Sequence, residues 1–377
     1  MLKMGFRWFG ADDDPITLQQ IRQIPGTKQV VSALYDVPAG EVWPLERIQA
    51  LKKQIEDAGM KFEVVESVNI HDDIKAGRPK RDEYIANYQE TIKNLSKCGI
   101  KVICYNFMPI FDWIRTNLAY PLHDGSNAME FEFEQLSDDP HELLESMKKG
   151  SNSYSLPGWE PERMAQLAKL FDEYAGMTGD QLRANLKYFL DAIIPTCEKY
   201  GVKMAMHPDD PPFNLFHLPR IYKNREDMEK IMLLHDSPYN GFTICTGSLG
   251  ENPENDLPSI IREFVKKDRV PFMHTRNIKF TNERGDFHES AHLSSEGSLD
   301  MFEIMKALHD CHYDGYIRPD HGRNIWGEKG RPGYGLYDRA LGITYLEGLW
   351  EALEKDYEGA WKAVSLFVKT KNIQNID

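Results

Sequence analysis

The sequence predicts an α/β chain folded as a single (β/α)8 TIM barrel, and three observations carry that prediction. A helix-to-strand join recurs, eight short apolar segments follow one another, and several of those segments end in a polar, ligand-type residue. The join reads Gly, one apolar residue, Lys, then an apolar run. It stands at Ala58-Gly-Met-Lys61, Cys98-Gly-Ile-Lys101 and Tyr200-Gly-Val-Lys203. Glycine is the usual left-handed residue closing a helix, and an αβ unit repeated in this way implies parallel strands.

Taken in order, the apolar segments are 5–9, 30–35, 62–67, 102–107, 204–207, 242–245, 271–275 and 316–319. Each is followed by a stretch able to form a helix. Pro44 fits a first helical turn, and Leu45, Ile48, Leu51 and Ile55 then make one apolar stripe before Gly59. Tyr84, Ile85, Tyr88, Ile92 and Leu95 repeat the pattern before Gly99. Eight βα units argue for a barrel rather than an open sheet, the count itself being the sign of closure. From Asp338 the chain reads as a long amphipathic helix or helix pair, with Leu341, Tyr345, Leu349, Leu353 and Trp361 as its apolar positions. A length of 377 residues suits one domain spanning 1–377.

One interval breaks the rhythm. After the fourth segment the next does not come until about 204, so the region 110–178 is an insertion. An insertion after a barrel strand lies at the C-terminal face, where active sites of this fold sit, which makes it a candidate lid or subunit contact. Within it, Ala128-Met-Glu-Phe-Glu-Phe-Glu134 alternates apolar and acidic residues like a half-buried strand. Asp138-Asp-Pro, Lys149-Gly-Ser-Asn-Ser and Leu156-Pro-Gly-Trp-Glu-Pro read as turns and loop.

Composition narrows the function. With a net charge of −14 the chain is a poor match for nucleic acid or anionic membranes, which demand clustered Lys and Arg. There is no run of about 18 apolar residues to span a membrane. Five widely spaced cysteines, an odd number, fit free thiols in a reducing cytoplasm rather than a disulfide framework. The first residues show no apolar signal-peptide core. The expectation is a cytoplasmic protein acting on a small molecule and assembled as a homo-oligomer, dimer or larger.

The residues that could carry chemistry cluster at the last four strand ends: His207, Cys245, His274 and Asp320. Strand ends on one barrel face converge, and two His, one Cys and one Asp are a donor set for a divalent metal. Carboxylate and imidazole suit Mn²⁺, Fe²⁺ and Zn²⁺, whereas a thiolate pulls toward Fe²⁺ or Zn²⁺, so softness alone ranks Mn²⁺ third. Arg276, Lys279, Arg318, His321 and Arg323 flank these positions, and Arg7 on the first strand joins them. In an acidic chain this local basic patch points to an anionic substrate such as a carboxylate, with at least two of these groups expected to pair with acidic residues instead. Pro332-Gly-Tyr-Gly-Leu-Tyr337 reads as a mobile loop able to bring a phenol to the site. His288-Glu-Ser-Ala-His292 matches the HExxH pattern of zinc peptidases, but that pattern works only on a helix, and its surroundings read as loop.

These residues also carry a resemblance. Phe6-Arg-Trp-Phe-Gly10, Ala33-Leu-Tyr-Asp-Val-Pro38, Glu41-Val-Trp-Pro44 and Tyr105-Asn-Phe-Met-Pro109 are similar to the mannonate dehydratase family of hexuronate breakdown. So are Met206-His-Pro-Asp-Asp-Pro-Pro212, Cys245-Thr-Gly-Ser248, His274-Thr-Arg-Asn-Ile-Lys279 and Arg318-Pro-Asp-His-Gly-Arg323. The resemblance covers nearly the whole chain. It implies a xylose-isomerase-like barrel that dehydrates D-mannonate to 2-keto-3-deoxy-D-gluconate with Mn²⁺ or Fe²⁺, in glucuronate catabolism. It implies metal ligation by His207, Cys245, His274 and Asp320, and acid–base roles for His321 and for Tyr334 rather than Tyr337. Arg7, Arg276, Lys279 and Arg323 are the candidates for holding substrate. A metal-dependent aldose–ketose isomerase on the same barrel is the nearest rival, and a non-catalytic sugar-acid binding protein is the rival from another class.

Overall fold

The computed structural model describes residues 2–136, 142, 145, 149, 151, 154 and 165–373. In chain order the strands are β1 (Lys3–Arg7), β2 (Gln29–Ser32), β3 (Lys61–Glu66), β4 (Val102–Tyr105), β5 (Asn117–Pro121) and β6 (Asn127–Phe131). There follow β7 (Lys203–Met206), β8 (Asn240–Cys245), β9 (Phe272–Thr275), β10 (Asn277–Phe280), β11 (Phe287–Ser290) and β12 (Tyr316–Pro319). Eight of them close into a parallel barrel in the order β1-β12-β9-β8-β7-β4-β3-β2. These are the eight segments expected from the sequence.

Side chains alternate across a strand, so each barrel strand sends one set outward and one inward. The outward set, including Phe6, Val65, Ile103, Met204, Ile244, Met273 and Ile317, packs with the helices in the main core. The inward set forms a separate small cluster of Val31, Val64, Val102, Cys104, Ala205, Phe272 and Tyr316. One step further along the same alternation, the inward positions at the strand ends are Arg7, Glu66, His207, Cys245, His274 and Arg318. The barrel is thus plugged by apolar residues below and topped by chemistry-bearing ones.

Helices Leu45–Asp57, Arg81–Lys97 and Gly179–Tyr200 precede the three joins. Gly59, Gly99 and Gly201 all take positive φ there (81°, 78° and 68°), a conformation that costs glycine nothing and other residues a steric clash. The C-terminal stretch is one helix, Tyr337–Ile373. Its packed stripe is Ile343, Leu346, Trp350 and Leu353, while Leu341 is 46% exposed, so Leu341 does not belong to the apolar face assigned from the sequence. Trp361 lies where side chains are outside the described residues.

The second sheet was not foreseen as such. Strands β10-β11-β6-β5 pair antiparallel, joining the segment after β4 to a hairpin after β9. Its apolar side packs Phe111, Trp113, Met129, Phe131, Ile278 and Phe287. The expected strand over 128–134 ends at Phe131, because the Phe133 amide turns off the sheet to donate to the Asp286 carboxylate at 2.9 Å. Between two neighbours, β6 is buried along Ala128–Phe131 instead of alternating. The expected turn at Asp138 and most of those at Lys149 and Leu156 lie outside the described residues. The segment His288-Glu-Ser-Ala-His292 starts on β11, so its histidines do not share a helical face. Among the described residues no helix is long and apolar enough to cross a membrane.

Candidate active site and metal centre

Register builds the centre. Cys245 is level with His274 across β8–β9, and His274 is level with Arg318 across β9–β12. Glu66 is level with Cys104 across β3–β4. Just past their strands, His207 and Asp320 are tied down by backbone bonds, His207 N–H to the Tyr105 carbonyl (2.8 Å) and Asp320 N–H to that of Thr275 (3.1 Å). The outcome is a group of ligand atoms from His207, Cys245, His274 and Asp320 that all lie within 4.8 Å of one another.

The donors fit a divalent metal. His207 Nδ1 lies 2.7 Å from the Pro208 carbonyl, which can only accept, so the ring hydrogen sits there and Nε2 keeps a free lone pair. His274 is fully buried; its Nε2 lies 3.2 Å from Glu66 Oε2 and its Nδ1 3.8 Å from Asp320 Oδ1, and among the described residues neither nitrogen has a partner in hydrogen-bond geometry, which suits a ring kept for a metal. Cys245 caps the short helix Thr246–Gly250, its Sγ accepting from the Ser248 N–H at 3.4 Å. Asp320 is held from both sides, Oδ1 3.0 Å from Arg318 Nη1 and Oδ2 3.1 Å from Arg276 Nε. Burial pushes its carboxyl up, but His321, Arg318, His274 and Arg276 outweigh that and hold it well below the usual carboxylate range. Glu66, Cys104 and His274 also stand close enough for a metal. There, however, the Glu66 carboxylate is already gripped by Arg318 through Nε (3.0 Å) and Nη2 (2.8 Å) and by Arg7 Nη1 (2.9 Å). Burial keeps the Cys104 thiol well above its usual range.

A cavity opens beside this centre, with Arg7, Glu66, Trp113, His207, Asp320, His321 and Tyr334 among its lining residues. His321 Nε2 is 2.9 Å from Tyr334 Oη, and Arg7 Nη1 donates to the same oxygen at 3.2 Å. The loop carrying Tyr334 is packed in place rather than swung clear. Gly333 has φ +75°, and a Cβ there would fall 3.2 Å from the His321 ring and 2.5 Å from Met129, so glycine is what lets this loop approach. Tyr334 is 4% exposed, whereas Tyr337 is 40% exposed and lies against Trp326. Burial raises the Tyr334 phenol above its ordinary value, which keeps it protonated.

The expected basic patch is neutralised. Arg276, fully buried, donates to Glu289 (2.7 Å), Asp210 (2.5 Å) and Glu251 (3.1 Å), and does not line the cavity. Gly247 makes room for it, since a Cβ there would lie 2.1 Å from Arg276 Nε. Arg115, unremarked in the sequence, joins the same carboxylates: Asp210 at 2.5 Å, Glu251 at 3.0 Å and Glu289 at 3.3 Å. Arg323 pairs with Asp338 and Asp124, and Lys279 is exposed on β10; neither lines the cavity. Of the four proposed substrate-holding residues, the structure brings Arg7 alone to the cavity wall. Glu66, Asp210, Glu251 and Glu289 were missed. Strand alternation could have found Glu66; the others come from loops and from the second sheet.

Fold and site together define a xylose-isomerase-like α/β barrel whose C-terminal mouth holds a buried His/Cys/Asp cluster able to take a metal. A xylose isomerase domain protein from Planctomyces limnophilus shares the fold at TM-score 0.54, with 13% identity over 94% of this chain and 99% of that one. The chain belongs to the D-mannonate dehydratase (UxuA) family, which it matches over residues 2–359. It is 57% identical to the mannonate dehydratase of Lactococcus lactis subsp. cremoris (strain MG1363) over 356 residues, 94% of this chain and 99% of the relative. The crystal structure of mannonate dehydratase from Streptococcus suis serotype 2 superposes at TM-score 0.85, with 45% identity over 95% of this chain and 96% of that one.

Proposed function

We propose that this chain dehydrates D-mannonate to 2-keto-3-deoxy-D-gluconate and water, as a hydro-lyase of hexuronate breakdown, with a divalent metal held by His207, Cys245, His274 and Asp320. The observation that carries the reading is one cavity wall shared by two of those ligands, the His321–Tyr334 pair and Arg7. The softness of the donor set alone favours Fe²⁺ or Zn²⁺, whereas the family resemblance favours Mn²⁺ or Fe²⁺ as the ion. Bound there, it supplies Lewis-acid stabilisation of the charge that develops beside the substrate carboxylate.

The chain's own residues do the rest. Arg7 lines the cavity, and its guanidinium is suited to an anionic group. His321 takes the C2 proton at Nε2. Tyr334, kept protonated by burial, gives its proton to the departing C3 hydroxyl. The proton on His321 then returns to the phenolate oxygen across the 2.9 Å contact, so each turnover restores both groups. General acid–base help of this kind contributes about 10²–10⁴-fold. We read the chain as cytoplasmic and as one barrel domain with the 110–178 insertion at its C-terminal face. We also read it as a homo-oligomer, on the exposed Trp326, Tyr337 and Leu341.

The test is anaerobic turnover of D-mannonate by purified chain reconstituted with Mn²⁺, Fe²⁺ or Zn²⁺, assayed for the keto-deoxy acid. Product is expected with Mn²⁺ or Fe²⁺, and chelation or Asp320→Asn should abolish it together with bound metal. Bound metal without product under every ion would sink the substrate assignment.

A further inference from the structure

Glu289 comes from the second sheet, while the other carboxylates of the site stand on barrel strands or on the loops that follow them. It is fully buried, and its Oε1 lies 2.7 Å from His321 Nδ1, 2.7 Å from Arg276 Nη1 and 3.3 Å from Arg115 Nη2. Burial pushes its carboxyl up, but His321, Arg276 and Arg115 outweigh that and hold it below the usual range. An ionised carboxylate accepts hydrogen bonds and cannot donate them, so the neighbouring imidazole must carry its hydrogen on Nδ1. Its Nε2 then presents a lone pair to Tyr334 Oη at 2.9 Å. Arg7 Nη1 donates to that oxygen at 3.2 Å, which turns the phenol hydrogen toward Nε2. Every hydrogen in the chain from Arg7 to Glu289 has one consistent direction.

We infer that Glu289 is a positioning residue: it fixes His321 in the Nδ1–H tautomer and aims a bare Nε2 at Tyr334 and the cavity. The inference rests on the reading of His321 and Tyr334 as the proton-transfer pair. Glu289 itself touches no reacting atom. Its place inside His288-Glu-Ser-Ala-His292 is then unrelated to zinc peptidase chemistry. The second sheet delivers one carboxylate behind the base, much as a buried acid orients the histidine of a hydrolase triad. Glutamine would keep the shape, but its amide can donate to Nδ1 and favour the opposite tautomer, with no lone pair facing Tyr334.

The test combines spectroscopy and kinetics. In ¹⁵N-histidine-labelled protein loaded with a diamagnetic divalent ion, the His321 signals are assigned by their loss in His321→Asn. The parent chain should show hydrogen on Nδ1 and a bare Nε2, and Glu289→Gln should show the reverse or a mixture. In steady state, kcat of Glu289→Gln should fall about 10²–10⁴-fold with KM within about threefold, the mark of an interaction made in the transition state. Glu289→Asp, which keeps the charge, should recover about 10-fold of that loss or more. A parent spectrum with hydrogen on Nε2 overturns the proposal, and decides alone if the variants fail to fold. Parent-like kcat in Glu289→Gln overturns it as well. Full turnover in His321→Asn would instead bring down the proton-transfer reading, while the tautomer spectrum still reported what Glu289 does.

Discussion

Two arginine–carboxylate clusters flank the candidate metal ligands, and they differ in who outnumbers whom. On one side Arg7 and Arg318 share a single carboxylate, Glu66. On the other, Arg115 and Arg276 face three: Asp210, Glu251 and Glu289. Asp320 bridges the two, taking one arginine from each. The first cluster has a cation to spare and sends Arg7 and Glu66 to the cavity wall; the second has none and reaches that wall through Asp210. Protonation follows the same division. Burial pushes the Glu66 carboxyl up, yet Arg318 and Arg7 outweigh it and hold it well below the usual range. In the crowded cluster Asp210 is held low by Arg115 and Arg276 against burial, while burial and the Asp210 charge push Glu251 well above its usual value. The arginine-rich side carries the charge that our proposed function assigns to an anionic substrate, and the carboxylate-rich side ties together loops at the mouth of the barrel.

The largest expected effect lies in the carboxylate-rich cluster. Arg276→Met leaves Asp210 and Glu289 buried with one arginine between them and removes the Oδ2 neighbour of Asp320. Breaking a buried pair from one side typically costs about 3–5 kcal/mol, so chemical denaturation should show a loss of that order, with weaker metal retention. An unchanged denaturation midpoint together with a raised KM would reverse the comparison and make Arg276 the substrate-holding arginine.

Next comes Arg7→Lys on the open side. Arg318 keeps its two-pronged grip on Glu66, and lysine keeps the charge, so the loss of stability should be smaller than that of Arg276→Met. What lysine lacks is the planar fork and the second line of donors toward the cavity. A fall in kcat/KM of about 10²-fold is expected in steady-state assays, the scale of one lost oriented donor. Equal losses of stability and activity would mean that the two clusters play the same structural part.

This contrast marks where sequence reading stops. The four candidate ligands were legible because each ends or follows an apolar strand, and three of them are followed within two residues by Pro208, Gly247 or Gly322, at a place barrels use for chemistry. The types of charge were legible too. Their partners were not: nothing local says that Arg276 meets Asp210, 66 positions away in sequence, while Arg7 meets the cavity. Glu66 was readable in principle, two steps past the inward Val64 on β3. Glu289 was not, because β11 finds its register against Glu130 and Phe131 through long-range pairing. The eight-strand count held because short apolar runs and the Gly-apolar-Lys joins are both short-range signals.

The smallest effect probes a carboxylate that neither cluster reaches. Glu130 sits on β6, 2% exposed, and burial together with Glu132 and Asp286 pushes its carboxyl from 4.5 up to about 7. Glu66 and Glu289 are as deeply buried, yet arginine holds them below the usual carboxylate range; no arginine offsets the burial of Glu130, which titrates around neutrality. The sign of its effect on stability follows. A carboxyl raised in the folded state contributes stability that is full below its unfolded value and is lost as pH rises through about 7. Unfolding free energy measured between pH 5 and 8 should therefore carry a downward slope worth on the order of 2 kcal/mol from this group. Glu130→Gln should flatten that slope and leave the variant the more stable form above neutrality. A slope that survives the substitution would assign it to another group and remove Glu130 as the uncompensated counterpart of the two clusters.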